Sequence, residues 1–234
     1  MKVALCLSGH LRSYEAAYPT LKKAILDQFN PDIFIFTWDT IGFDGANRGD
    51  EHLVDTPVDP GRLRQLYLPK KLMIKPGRRW NTLRYHRRMG QGMRNPEVVC
   101  GMFYGIFKAN ALRNEFERKN HFTYDAVIRG RADLSFQSIL EPKEILHCQV
   151  ANGIYFPNFG DYKGVNDQFA FGNSASMNIY SGIYQNLNHF FNLGCRWHPE
   201  SLTKFNIDYF NLPIFRSSII YDILRANGSI FRQY

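Results

Sequence analysis

Residues 125–136 read DAVIRGRADLSF, an apolar run that ends in charges at every second position: Arg129, Arg131 and Asp133. Continued as one strand, the segment puts these three side chains on one face and Ile128, Gly130, Ala132 and Leu134 on the other. Two guanidinium groups and a carboxylate are costly to bury unless they pair or meet a ligand or metal. One solution is an internal ion pair of Asp133 with Arg131 or Arg129. The other is the mouth of an anion site, with Asp133 holding Mg²⁺ or Mn²⁺ against the anion and the arginines neutralising the rest.

Two further places carry chemistry of the same kind. Ser8, Gly9, His10, Leu11 and Arg12 follow the apolar run of residues 3–7. Ligands of open α/β sheets bind beyond the carboxyl ends of the strands. Ser8 and Gly9 are small enough to let a ligand reach the backbone, and Arg12 suits a phosphate. An ordinary turn with exposed His10 and Arg12 is the plain alternative, since neither a GxGxxG fingerprint nor a P-loop is present. Asp39, after the next apolar run, lies on the same rim, where it accepts hydrogen bonds from a ribose or base, or caps a turn.

Asn166, Asp167 and Gln168 follow a glycine-bearing turn. Three adjacent amide or carboxylate side chains can position hydroxyl groups, and Asp167 is the candidate general base. A turn held by side-chain to backbone bonds uses the same residues. His198, with Glu200 beside it, stands at a helix start and is a candidate contact to metal or phosphate, or a simple cap. The charged segment, the opening turn and the Asn-Asp-Gln corner are expected to surround one phosphate-sized hollow.

The elements that must position these residues form an α/β pattern. Val3–Ser8 and Asp32–Trp38 read as buried strands joined by a partly helical segment, a βαβ unit with a parallel pair. Pro19 suits a first helical turn, so the regular helix is expected to begin there. Residues 40–94 read as a long, irregular, basic excursion with a short strand at residues 72–74, and residues 78–94 carry six arginines and no acid. Asn95, Pro96 and Glu97 make a cap, an N1 proline and a first-turn acid, and a helical apolar stripe follows. Strands are expected at residues 154–157 and 169–172, a helix after Asn173, another from His198, and short elements to the end.

The chain has 234 residues, 44% of them hydrophobic and 15% aromatic, enough for a proper core in one domain, residues 1–234. Its formal charge of +8 favours acidic partners. The four cysteines have no metal spacing and read as free thiols of a reducing compartment. No signal core and no apolar stretch of about 20 residues stands out. The sequence therefore reads as a cytoplasmic protein whose basic surface can rest peripherally on a membrane.

SGHLRSY, DIFIFTWD, AVIRGRADLSF, NDQFAFGNSASMNIYS and HPESLTKF, in this order, resemble the small glycosyltransferases of GT-A-like fold found in bacterial surface-polysaccharide loci and in large viruses. The resemblance spans the chain outside the excursion. It implies a single-domain, Rossmann-like, mostly parallel central sheet flanked by helices. Ser8, Gly9, His10 and Arg12 would hold the nucleotide of a sugar donor, and Asp39 would lie near its base or ribose. RGRAD stands where such enzymes carry Asp-x-Asp; with Arg131 in the first acidic place, either Asp133 alone holds Mn²⁺ or Mg²⁺ or the arginines replace it. Asp167 falls where inverting members place the base, with Asn166 and Gln168 positioning sugar or acceptor. The implied partners are a nucleotide sugar and a glycan or lipid-linked acceptor.

Two rival functions compete. A nucleic-acid-binding protein would use residues 78–94, with Trp80 and Tyr85 as stacking platforms, but the absence of a recognition helix or motif argues against nucleic acid. A sugar nucleotidyltransferase needs a glycine-rich phosphate loop after the first strand, which SGHLRS matches poorly.

Overall fold

β1 (Val3–Ser8) is buried at all six positions. Its side chains alternate between two cores: Ala4 and Cys6 join Phe34 and Phe36 on one face, and Leu5 and Leu7 join Ile33 and Ile35 on the other. A strand buried on both faces needs this unbroken apolar run. In the computed structural model, which describes residues 1–42, 51–86 and 94–232, β1 leads into α1 (Tyr14–Leu21), a π-helical segment (Lys22–Leu26) and the short α2 (Asp27–Phe29). The helix thus begins five residues before Pro19 and takes that proline into its interior. Pro19 has no N–H to give the preceding turn, and the π-helical segment begins three residues after it. Burial of Ala17, Leu21, Ala24 and Ile25 holds the element on the sheet in spite of that lost bond.

β2 (Asp32–Trp38) runs parallel to β1, with Ala4 opposite Asp32. The following segment is more regular than its composition suggests. Asp59 accepts hydrogen bonds from the N–H groups of Gly61 and Arg62 at 2.8 and 3.2 Å and caps α3 (Pro60–Tyr67). β3 (Lys71–Lys75) then pairs in parallel with β2 as the edge of the sheet. The expected irregular excursion is therefore, over these residues, a second βαβ unit. α4 (Leu83–His86) is a single turn, and the basic run at residues 87–93 lies outside the described residues. α5 (Pro96–Lys119) starts where its signals place it, with the Asn95 side chain accepting from the Glu97 N–H at 2.9 Å.

β4 (Ala126–Gly130) pairs in parallel with β1 and ends at Gly130. The single long strand expected for residues 125–136 does not form. The chain turns at residues 131–133, and β5 (Leu134–Phe136) joins a different sheet. α6 (Pro142–His147), β6 (Ile154–Pro157), β7 (Ala170–Gly172), α7 (Ser174–Ser181), α8 (Ile183–Asn192), α9 (Pro199–Tyr209), β8 (Ile214–Ser217), β9 (Tyr221–Leu224) and β10 (Ile230–Phe231) follow.

The main sheet has seven strands in the order β3-β2-β1-β4-β7-β6-β8, and a small sheet has the order β10-β9-β5. β7 is antiparallel to β4 and to β6, whereas the other pairings of the main sheet are parallel. α5 and the helices α7, α8 and α9 cover one face through Phe103, Ile106, Tyr180 and Phe190; α1 and α3 cover the other through Leu21 and Leu63. The result is one α/β domain of Rossmann-like architecture with a mostly parallel central sheet. Its four cysteines are free and buried. Among the described residues no helix is long and apolar enough to cross a membrane.

Candidate functional site

The carboxyl ends of β1, β2 and β4 open onto one cleft of about 320 Å³. Adjacent parallel strands leave such a crevice beyond their ends. Ser8, Gly9, His10 and Arg12 line it from β1, Trp38 and Thr40 from β2, and Arg129 and Arg131 from β4. The turn after β1 depends on an unusual backbone. Gly9 has φ +110°, and its N–H donates to the Phe36 carbonyl at 3.3 Å. Arg12 adopts φ +48°, with its N–H bonded to the Ile41 carbonyl at 3.1 Å. Only glycine takes the Gly9 conformation without strain. The His10 ring meets the Thr40 carbonyl through Nδ1 at 3.2 Å.

Asp133 binds the arginines rather than a cation. It is 0% exposed. Its Oδ1 accepts from Arg131 Nε at 2.8 Å, and its Oδ2 accepts from Arg131 Nη2 and from Arg12 Nη1, the latter at 3.2 Å. Burial works against the charged carboxylate, but Arg131 and Arg12 outweigh it and hold its pKa below the usual carboxylate range. The pairing also closes the turn between β4 and β5. The expected Mn²⁺ or Mg²⁺ site is thereby corrected: among the described residues no group of three or more histidine, cysteine, aspartate or glutamate side chains could hold a metal ion. The ion-pair solution weighed for the charged segment is the one observed, with Arg12 as an added partner.

The Asn-Asp-Gln corner packs behind this cluster. The Asp167 carbonyl accepts from Arg129 Nη1, whereas the Arg129 Nε is buried with no hydrogen-bond partner. Burial, then the nearby Glu200, push the Asp167 carboxyl up to about 6, against the pull of Arg129 and Arg131. Asn166 is fully buried and committed internally. Its Nδ2 donates to the Phe159 carbonyl at 3.1 Å, and its Oδ1 accepts from the Gln168 and Phe169 N–H groups and from the Tyr221 hydroxyl. Gln168 is nearly buried, with its Oε1 unpartnered. His198 stands at the N-cap of α9 without a side-chain capping bond, and its Nδ1 lies against Glu200 Oε2 without hydrogen-bond geometry.

The opening turn thus meets Arg129 and Arg131 in one cleft, whereas Asp133, Asn166, Asp167 and Gln168 are buried behind it and do not line it, so the three places do not surround a single hollow. Asp39 is exposed beside the cleft without lining it; its backbone bonds Lys75 and Val58. Sequence reasoning singled out Trp80 and the basic segment from Arg78 only for the nucleic-acid rival and did not place them at this cleft. Arg78 and Trp80 after β3, with Glu97, Gly101 and Met102 on the first turns of α5, complete the lining. Trp38 and Trp80 both contact the Tyr104 ring, at 5.9 and 5.1 Å between centroids. The tryptophan that ends β2 and the glycine five residues into α5 were the available signals. No protein-family model matches this chain, and no curated protein matches it either.

Proposed function

We propose that this chain is a glycosyltransferase that moves a sugar from a nucleoside-diphosphate donor to a glycan or lipid-linked hydroxyl. One observation carries the reading: a cleft at the carboxyl ends of parallel strands is lined by Arg12, Arg129 and Arg131, and one of these keeps a buried, unpartnered Nε. Three guanidinium groups line this end of the cleft, two of them paired with Asp133 and Asp167 lying near Arg129 and Arg131, and such a concentration of arginine suits a diphosphate. A buried donor without a partner is costly, and an anion oxygen would satisfy it.

In the reaction the acceptor oxygen bonds to the anomeric carbon. The bond from that carbon to the diphosphate oxygen breaks, and the nucleoside diphosphate leaves with the electron pair. The arginines stabilise the charge that grows on the leaving group. Asp167 is the residue assigned to the acceptor proton; it lies behind Arg129 and not on the cleft wall, so the transfer needs a bridging water, and its raised pKa gives it more basicity than an ordinary carboxylate. The basic rim suits an acceptor that carries phosphate or lies at an anionic membrane surface.

The test is release of nucleoside diphosphate from a panel of nucleotide sugars, in EDTA, with mixed glycan and polyprenyl-phosphate acceptors. Turnover with at least one donor, lost in Asp167→Asn while donor binding survives, is expected. Binding of no nucleotide sugar, or unchanged turnover in Asp167→Asn, would overturn the assignment.

A further inference from the structure

The cleft is chemically polar along the sheet. Its cationic end sits on β1 and β4, and its aromatic end lies over β2 and β3. From β4 to β3 is three strand spacings, about 14 Å. That is the reach from a diphosphate to the base of the same nucleotide. A methyl group at Gly101 would lie 3.7 Å from Trp80 Nε1 and 3.9 Å from Trp38 Cζ2. Both indoles therefore pack close to this helix residue because it has no side chain, and their edges face the cleft beside the first turns of α5.

Two charges border that space. The Arg78 guanidinium lies over the rings of Trp80 and Tyr104, at 4.6 and 5.5 Å from their centroids. Glu97 projects from the first turn of α5 and is the one carboxylate among the described lining residues. No ion pair forms at either side chain within the described residues. An arginine held flat by aromatic rings keeps its N–H edge available in the ring plane.

Resting on the sugar-transfer reading above, we propose that this end of the cleft selects guanine, with Glu97 and Arg78 reading two edges of the base beside Trp38 and Trp80. A carboxylate only accepts hydrogen bonds, and through two oxygens. Guanine offers it two adjacent donors, N1–H and the 2-amino group. Uracil sets its single N3–H between two carbonyls that repel a carboxylate. Cytosine and adenine place their amino group beside a ring-nitrogen lone pair. On its other edge guanine carries O6 and N7, the acceptor pair that an arginine binds through two bonds. The partly exposed Trp80 supplies the aromatic surface, and the nearly buried Trp38, stacked on Tyr104, backs it. The donor class is therefore a GDP-sugar.

The experiment is equilibrium titration of the full chain, in EDTA, with GDP, IDP, UDP, CDP and ADP, followed by tryptophan fluorescence and calorimetry. IDP is GDP without the 2-amino group. GDP is expected to bind at least tenfold more tightly than the pyrimidine and adenine nucleotides. IDP is expected to bind about tenfold more weakly than GDP, the scale of one lost base contact. In Glu97→Gln the difference between GDP and IDP should fall to about twofold or less, because the charge that favours two donors is gone. Arg78→Ala should weaken GDP more than UDP. Both positions are exposed, and far-UV circular dichroism checks that each variant folds. UDP, CDP or ADP equal to GDP, or GDP and IDP indistinguishable in the wild type, would overturn the guanine assignment while sugar transfer stands. Binding of no nucleoside diphosphate would overturn both.

Discussion

Replacing Asp133 with asparagine removes one negative charge from a position that is 0% exposed and faces two guanidinium groups. Breaking a buried pair by deleting one partner costs about 3–5 kcal/mol, since the remaining charge is left uncompensated. Here Arg131 and Arg12 would repel each other without the carboxylate between them. For a domain of this size each kcal/mol lowers the melting temperature by about 2–4 °C, so a fall of roughly 6–20 °C is expected. Thermal and urea unfolding at pH 7.5 in EDTA give the value. The pH dependence adds a second signature. The folded-state pKa of Asp133 is depressed, so its contribution is present above the unfolded carboxylate pKa and is lost as pH falls through the lower folded value. Asp133→Asn should therefore flatten the acid limb of the stability curve. Asp208→Asn, which breaks an exposed pair with Lys204, should cost less than about 1 kcal/mol and serves as the control. Wild-type stability in Asp133→Asn, with an unchanged acid limb, would refute the clasp.

Asp167→Asn should be at least as stable as the wild type at pH 8, because burial and Glu200 disfavour the charged carboxyl. The sign follows from its raised pKa: the protonated form favours folding at low pH, and that advantage is lost as pH rises through about 6. The same variant should lose about 10²–10⁴-fold in turnover, and wild-type turnover should fall below about pH 6; a destabilised variant at pH 8 would count against this environment. Gly9→Ala should cost about 1–2 kcal/mol from backbone strain alone, since nothing lies within 4 Å of the added methyl; an unchanged urea midpoint would show that the turn relaxes. Arg113 is fully buried and bonds Asn110, Glu117, Ser174 and Asn178. Arg113→Leu should destabilise by about 3–5 kcal/mol and leave the nucleotide affinity of the folded protein unchanged, with both read from the same titrated sample.

Local signals marked the strands and the long helix. β1 and β2 are apolar at nearly every position, and α5 opens on an Asn-Pro-Glu cap, so neighbouring residues suffice to define them. The break after Gly130 was hidden because the pairing that ends the strand is remote: Leu134 lies opposite Ile223. Asp133 was legible as an ion-pair or metal residue, but the group that closes it fully, Arg12, lies 121 residues away. α3 carried a readable Asp-Pro start, masked by the polar residues around it. Pro19 pointed to a helix start, and tertiary burial overrode that preference. The opening turn and the charged segment were recognisable as halves of one site. The aromatic wall was not, since Trp38, Trp80 and Gly101 come from three segments that only the parallel topology brings together.

The central claim is that arginines at the carboxyl ends of β1 and β4 bind a diphosphate directly. Calorimetric titration of nucleoside diphosphates in EDTA, into wild type and Arg129→Met, measures it most directly. Saturable wild-type binding that weakens with added salt, and that falls at least about tenfold in the folded Arg129→Met variant, is the predicted result. No nucleoside diphosphate binding in EDTA, or equal affinity in the two proteins, would contradict it.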